Sequence, residues 1–154
     1  MNFDLEVVSY LRGSKATVYS IKFNDCKNNE AVKFFHKFYK THKKDIKAIV
    51  AKLNYIKDRD GCQEYHFKPI SKRDDNVEQI KQGNLRLFVL KYSKFAFIIG
   101  GGDEKPKNIG PYQEVETLNK LADILRDLSI EMDKRIKDNE IYFDNNNICG
   151  NLKF

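Results

Sequence analysis

Two nearly continuous apolar runs, 85–92 and 95–99, constrain the fold of this chain more than any other feature. Runs of this kind are rich in strand-forming residues and are typical of central strands that are covered on both faces. A Gly-Asn turn at 83–84 precedes the first run, and 76–82 has the pattern of a further short strand. The sequence therefore predicts three neighbouring strands in this part of the chain.

Helical periodicity predicts two amphipathic helices within 30–60. Their apolar residues recur at helical spacing, first at Ala31, Phe34, Phe35 and Phe38, then at Ile46, Ile49, Val50, Leu53 and Ile56. Asn28 or Asn29 can cap the first helix, and Gly61 can end the second. The short polar segment 41–44 favours an antiparallel helical hairpin, with one bent helix as the alternative.

A glycine- and proline-rich segment separates the strands from a third helix. The three glycines at 100–102 and the Gly-Pro pair at 110–111 predict a loop, because these residues weaken helices and strands. The glycines lack the spacing of a phosphate-binding P-loop. Pro111 suits the first turn of a long helix, whose apolar period runs over 115–132.

Both ends of the chain contain strand-like residues. The segments 5–10 and 18–23 are predicted strands, joined by a turn at 12–15. The Asn-rich segment 138–154 predicts an edge strand or a mobile tail. The resulting order, two strands, two helices, three strands and a helix, predicts a single α+β domain over 1–154.

The composition excludes disordered and membrane-spanning classes. A length of 154 residues fits one hydrophobic core, and 41% apolar residues exclude wholesale disorder. The longest apolar run, 95–99, is far shorter than the roughly 20 residues that a bilayer span needs. The first residues lack the basic and apolar regions of a signal peptide. We therefore expect a cytoplasmic protein with no membrane partner.

The cysteines give no sign of a disulfide framework or a metal site. Cys26, Cys62 and Cys149 are odd in number and widely spaced, which suits a reducing compartment. Cys62 and His66 are four residues apart and can in principle share a metal with Cys26 or His42. Zinc sites normally have closely paired ligands in both halves of the motif, which this sequence lacks. We therefore expect no metal and no cofactor.

Charge is sorted along the chain. Lysine and arginine number 28 against 22 acidic residues, a net charge of +6. Segment 33–57 has a net charge of +7 and segment 61–110 of +3, whereas 111–144 has −4. A basic face favours a polyanionic partner, and nucleic acid is the commonest. The alternative is a solvated, lysine-rich helix surface.

Basic and aromatic residues flank the predicted central strands in three groups. They are His66, Lys68, Lys72 and Arg73 before the strands, Lys81 and Arg86 on or beside them, and Lys105, Lys107 and Tyr112 after them. If the strands are neighbours, these groups converge on a surface that can stabilise a phosphorane-like transition state and protonate a leaving oxygen. Arg86 has the parity of Phe88, where a charge is costly unless it is functional or paired, for example with Glu78.

These features resemble the RelE/ParE superfamily of small bacterial toxins, in particular the RelE- and HigB-like ribosome-dependent mRNA interferases. The resemblance covers 34 to about 128 and includes the helical hairpin at 30–60. Segment 77–88, VEQIKQGNLRLF, is similar to the family's "E-x-R/K … G-x-x-R-x-x-Y/F" strand pair. Segment 97–99 and the basic turn 105–107 resemble the strand and turn before the family's C-terminal helix.

The resemblance implies a RelE-like α+β fold. That fold has a small antiparallel sheet of three to five strands, an N-terminal helical hairpin and a long C-terminal helix. Two helices would cover one side of the sheet, and the other, concave face would meet mRNA in the ribosomal A site. Residues 1–17 and 138–154 would be extensions of this single domain.

The resemblance also implies an activity and partners. The toxin of a type II toxin–antitoxin system would cleave mRNA by attack of a 2′-hydroxyl on the adjacent phosphate, without metal or cofactor. The implied catalytic residues are Arg86, Lys81, Lys68, Lys72 and Tyr112, and the implied RNA-binding residues are His66, Arg73, Lys105, Lys107, Lys37, Lys40 and Lys44. The partners would be mRNA on the ribosome and a cognate antitoxin, a small helix-turn-helix protein. The alternatives are a non-catalytic protein of this fold, either a ParE-like gyrase inhibitor or an RNA- or protein-binding module, and a phage-derived protein without toxicity.

Overall fold

The computed structural model describes residues 4–72, 76–108, 110–112 and 115–154. In this part of the chain the elements follow one another as β1 (Leu5–Arg12), β2 (Thr17–Phe23), α1 (Glu30–Phe38), α2 (Lys43–Tyr55), a π-helical turn (Ile56–Asp60), a 3-10 turn (Glu64–His66), β3 (Lys68–Pro69), β4 (Val77–Gln82), β5 (Leu85–Lys91), β6 (Ala96–Glu104), α3 (Glu116–Lys137), β7 (Ile141–Asp144) and β8 (Asn147–Gly150). The α+β class and the long C-terminal helix are confirmed.

The main sheet is mixed and larger than the resemblance implies. Its six strands have the order β1-β2-β6-β5-β4-β3, and β7 and β8 form a separate pair. Strand β2 runs parallel to β6, whereas the other neighbours are antiparallel. The expectation of a small antiparallel sheet of three to five strands is therefore wrong, because the N-terminal strands join the sheet beside β6.

The N-terminal part of the fold is a strand hairpin. Strands β1 and β2 pair over Leu5↔Phe23 to Arg12↔Thr17, and the first helix begins only at Glu30. The expectation of an N-terminal helical hairpin is wrong, because Leu5 and Val7 are buried on one face of β1, with the alternation of a strand. Helices α1 and α2 do follow, and the side chain of Asn29 caps α1 by accepting from the Val32 N–H.

Both faces of the main sheet are covered by helices. Helix α3 packs against one face, on Val77, Phe88, Leu90 and Ile98 among others. Helices α1 and α2 pack against the other face, on Ile80, Leu87, Val89 and Ile99 among others. Full burial of such a side chain contributes about 1.5–3 kcal/mol. The expectation of an exposed concave face is therefore wrong, because helices cover both faces of the described sheet.

The three glycines lie within β6, so the prediction of a loop at 100–102 is wrong. The register between β5 and β6 shifts between Phe88, which pairs with Gly101, and Val89, which pairs with Ile99, so Gly100 is the extra residue of a bulge. A Cβ on Gly100 would lie 2.6 Å from Leu125 Cδ2 of α3, and a Cβ on Gly102 would lie 2.2 Å from the Arg86 carbonyl oxygen. Glycine here permits close approach of the neighbouring elements.

The C-terminal segment covers the free edge of β1. After β8, residues 151–154 run beside β1, where the Val7 N–H donates to the Leu152 carbonyl at 2.9 Å and the Phe154 N–H donates to the Leu5 carbonyl at 2.8 Å. The guanidinium of Arg135 donates to the carbonyls of residues 151 and 153 and lies 4.0 Å from the centroid of the Phe154 ring. The segment is thus an ordered edge of the sheet.

Two further boundaries complete the fold. Gly61, with φ 73°, follows the π-helical turn and ends the helical stretch as predicted. Helix α3 begins at Glu116, later than the Pro111 start that the sequence predicts. Within the described ranges, no helix combines the length and the apolar character that crossing a membrane requires.

We predict that Gly102→Ala lowers the free energy of unfolding by about 1–3 kcal/mol, because the added methyl group meets the Arg86 carbonyl. Asn108→Ala, in the exposed turn after β6, is the control and changes it by less than about 0.5 kcal/mol. Urea denaturation followed by circular dichroism measures both. Equal midpoints for the two variants would contradict the close approach at Gly102.

We also predict that Arg135→Ala speeds hydrogen exchange at the Val7 amide by at least about tenfold, since the C-terminal segment loses its anchor on α3. Lys134→Ala, at an exposed position of the same helix, leaves this exchange unchanged. Amide exchange monitored by NMR separates the variants. Unchanged protection of Val7 in Arg135→Ala would show that the segment holds the edge without this arginine.

Candidate functional site

A cation cluster lies at the margin of the sheet, beside the β4–β5 turn. Lys81 and Arg86 are cross-strand neighbours on the face that carries α3. On β3, Lys68 pairs with Gln79 and so lies on this face. The Lys105 N–H donates to the Asn84 carbonyl at 2.7 Å, which places Lys105 beside the same turn. We call Lys68, Lys81, Arg86 and Lys105 the cation cluster.

Arg86 is the buried member of this cluster. Its residue is 7% exposed, and its Nη1 donates to the carbonyls of Gly83 at 2.8 Å and Leu85 at 2.9 Å. Burial lowers the pKa of the guanidinium. Glu78, the carboxylate that the sequence offers as a partner, lies on the opposite face, since it pairs with Val89. Among the described residues, no carboxylate forms an ion pair with Arg86.

The cluster changes the chemistry of Lys81. The positive charge of Arg86 lowers the pKa of this ammonium, with smaller contributions from burial and from the charges of Lys68 and Lys105. The cause is mutual repulsion, because like charges disfavour the protonated form of an amine. Lys81 therefore releases its proton more readily than an isolated lysine does.

The structure places Tyr112 next to the cluster but packs it tightly. Its ring meets Phe88 edge-to-face at 5.5 Å between centroids, and Phe88 is two residues from Arg86 on the same face. Its hydroxyl accepts a hydrogen bond from Arg126 Nη2 at 2.9 Å. Lys72 and Lys107 are exposed in the segments that follow β3 and β6. Arg73, also predicted for this site, lies outside the described residues.

Of the other predicted RNA-binding residues, Lys37 approaches the cluster, because Asp103, which it bonds, is the register partner of Arg86 on β6, whereas His66, Lys40 and Lys44 are not members of it. His66 is buried, and its Nε2 lies 2.7 Å from Asp60 Oδ2. Lys37 Nζ bonds Asp103 at 3.1 Å, and Lys40 Nζ lies 5.7 Å from the Tyr39 ring centroid. Lys44 is exposed on α2. The lysines of α1 and α2 thus belong to the layer that covers the opposite face of the sheet.

The cysteine and histidine residues that the sequence offers as metal ligands do not come together in the described structure. In the ranges given above, no three His, Cys, Asp or Glu side chains come together as they would to hold an ion. Cys62 is fully buried, and this burial raises the pKa of its thiol to about 12. The thiol is therefore protonated at neutral pH and is not a nucleophile.

A pocket that the sequence analysis missed lies at the end of β4 and β5 away from the turn. Its volume is about 790 Å³, and it is lined by Cys62, Gln63, Glu64, Tyr65, Asn76, Glu78, Lys91, Tyr92, Ser93 and Lys94. Glu78 and Lys91 have the strand parity of the α1/α2 face. This parity is a sequence signal that Glu78 and Lys91 lie on one face. The loop that supplies Tyr65 has no periodic pattern, so the sequence does not indicate its position.

No protein-family model matches the chain, and no curated protein matches it.

We predict that Arg86→Gln raises the pKa of Lys81, because it removes the largest cause of the depression. Lys68→Gln raises it less, since the charge of Lys68 is a smaller cause. An NMR titration of the lysine Cε and Nζ signals measures both shifts. A larger effect of Lys68→Gln would contradict the arrangement of the cluster.

Proposed function

We propose that this chain binds single-stranded mRNA at the cation cluster and cleaves it as the toxin of a toxin–antitoxin system. The observation that carries the proposal is the buried guanidinium of Arg86 beside Lys81, without a carboxylate partner among the described residues. An unpaired buried charge is costly, and such sites are typically functional. Phosphate is an anion that matches the fork of a guanidinium, with two parallel hydrogen bonds.

Among the described residues, the hydrogen bonds of Arg86 to carbonyl groups come from one terminal nitrogen, Nη1. Nη1 donates to Gly83 and Leu85, so the other guanidinium donors are left for a phosphate. Lys68 and Lys105 flank this position and suit the neighbouring phosphates of one strand. Binding of this kind is mainly electrostatic, and its affinity falls steeply as salt is added.

The proposed reaction is internal transesterification of RNA. The 2′-oxygen forms a bond to the adjacent phosphorus while the bond from phosphorus to the 5′-oxygen breaks, which gives a 2′,3′-cyclic phosphate and a 5′-hydroxyl. Arg86 stabilises the negative charge that grows on the non-bridging oxygens. Lys81, with its lowered pKa, accepts the proton of the 2′-hydroxyl in its neutral form and passes it to the departing 5′-oxygen. DNA lacks the 2′-hydroxyl and is not a substrate.

A second candidate function is RNA binding without cleavage. It is favoured because two residues that could remove the 2′-proton already have hydrogen-bond partners within the protein. The Tyr112 hydroxyl is bonded to Arg126, and the imidazole of His66 is bonded to Asp60. If no lysine of the cluster acts as the base, the same surface holds RNA and leaves it intact.

We predict that induced expression of the wild type arrests growth and creates new transcript 5′ ends in phase with codons. Arg86→Ala lowers their abundance by at least about tenfold, as expected for the loss of charged hydrogen bonds worth about 1.5–3 kcal/mol. Lys47→Ala removes an exposed cation of α2 and is the matched control. Sequencing of 5′ ends, with and without a translation inhibitor, measures the effect.

The outcomes separate the candidates. New ends that require both translation and Arg86 support the ribosome-dependent enzyme. Growth arrest without new ends would overturn RNA cleavage and direct attention to a protein target such as gyrase. Arg86-dependent RNA binding in a filter assay, with neither arrest nor new ends, would leave the binding module.

A further inference from the structure

The pocket between β4, β5 and the segment 62–65 has the dimensions of a small-molecule site. Its volume of about 790 Å³ falls in the range of ligand pockets and exceeds that of a nucleobase. Most of the lining side chains are polar. The pocket therefore suits a ligand with several hydrogen-bonding groups better than an apolar one.

Glu78 supplies an unsatisfied acceptor at this pocket. Its Oε2 is shielded from solvent, and within the described part of the chain it has no hydrogen-bond partner. Burial is the main cause that raises the pKa of this carboxyl, while the charge of Lys91 lowers it. A shielded acceptor without a donor destabilises the unliganded protein. A ligand that brings N–H donors to Glu78 relieves this destabilisation.

Lys91 supplies a fixed donor on the same side. It has the parity of Val89, the cross-strand partner of Glu78, so both side chains lie on one face. Its Nζ lies 5.6 Å from the centroid of the Phe67 ring, which holds the ammonium by a cation–π contact. The pocket thus presents a carboxylate and an ammonium side by side.

Tyr65 supplies an exposed aromatic surface. Its side chain is 70% exposed, although its position is fixed by two neighbours. The hydroxyl donates to Asp60, and the ring lies 4.3 Å from the ring of His66. A rigid, exposed ring beside a polar pocket is the arrangement on which proteins stack an unpaired base.

We propose that this pocket binds a guanine base. Guanine is the standard base whose Watson–Crick edge has two adjacent N–H donors, at N1 and N2, next to an acceptor at O6. The two oxygens of Glu78 accept from N1 and N2, Lys91 donates to O6, and Tyr65 stacks on the ring. Adenine, cytosine and uracil lack the adjacent pair of donors.

The base comes from the RNA strand, so this inference rests on the proposed function for its source. Glu78 and Lys81 are three residues apart on β4, about 10 Å along the strand, and lie on opposite faces. In the described part of the sheet, β4 is followed by the edge strand β3, which has two residues, and one of them is Lys68. A single strand that crosses this short edge reaches both the pocket and the cation cluster.

The test compares two labelled RNA octamers, one of adenosines alone and one with a single guanosine, by fluorescence anisotropy. We expect the wild type to bind the guanosine octamer about tenfold more tightly. Glu78→Gln abolishes this preference, because its amide presents a donor to a donor. Glu140→Gln, at an exposed carboxylate on another part of the chain, keeps the preference. Tyr65→Ala, at an exposed side chain, reduces it.

Guanosine monophosphate, titrated by calorimetry against adenosine monophosphate, tests the pocket independently of RNA. Preferential binding of the guanine nucleotide that Glu78→Gln removes supports the site, even if neither octamer binds and the proposed function fails. Equal affinity for both octamers, with no preference between the nucleotides, overturns the guanine site. If Arg86→Ala then weakens the binding of both octamers equally, the proposed function stands without the guanine site.

Discussion

Burial of the β5–β6 pair on both faces is the constraint on which the rest of the structure depends. Phe88 and Leu90 face α3, while Leu87 and Val89 face α1 and α2. A pair of this kind cannot lie at an edge, so strands are added on each side of it, β2 and β1 beyond β6 and β4 and β3 beyond β5. The helices on both faces must then pack closely on the strands. The glycines of β6 allow this, since Gly100 has no side chain between the strand and Leu125 of α3.

The elements with local periodicity could be predicted from the sequence. The two helices after β2, the strands β4 and β5, the Gly83 turn and the apolar face of α3 all follow from patterns within a few residues. Their arrangement could not, because the parallel pairing of β2 with β6 joins residues about 80 positions apart. The prediction of a loop at 100–102 is wrong for a related reason. These glycines lie against Leu125 and the Arg86 carbonyl, and such contacts exist only in the folded chain.

The candidate site shows the same division. Strand parity and a short turn bring Lys81 and Arg86 together, so their meeting follows from the sequence. Strand parity does not predict the burial of Arg86 or the packing of Tyr112. Both depend on contacts made in the folded chain, such as the hydrogen bond from Arg126 of α3 to Tyr112. The sequence offers Glu78 as a salt-bridge partner of Arg86. Side chains alternate between the two faces along β4, however, and Glu78 lies on the other face, with Lys91. Tyr65 had no pattern at all, since its position is set by Asp60 and His66.

The C-terminal cover of β1 has a consequence for synthesis on the ribosome. Strand β1 precedes residues 151–154 in the chain, and in the described structure those residues supply the partners of the carbonyl and amide groups along its outer edge. Until those residues leave the exit tunnel, the nascent sheet presents an unpaired edge that other chains can extend. The edge of β1 is thus open to aggregation for the time that the ribosome needs to make the residues between β1 and the segment 151–154.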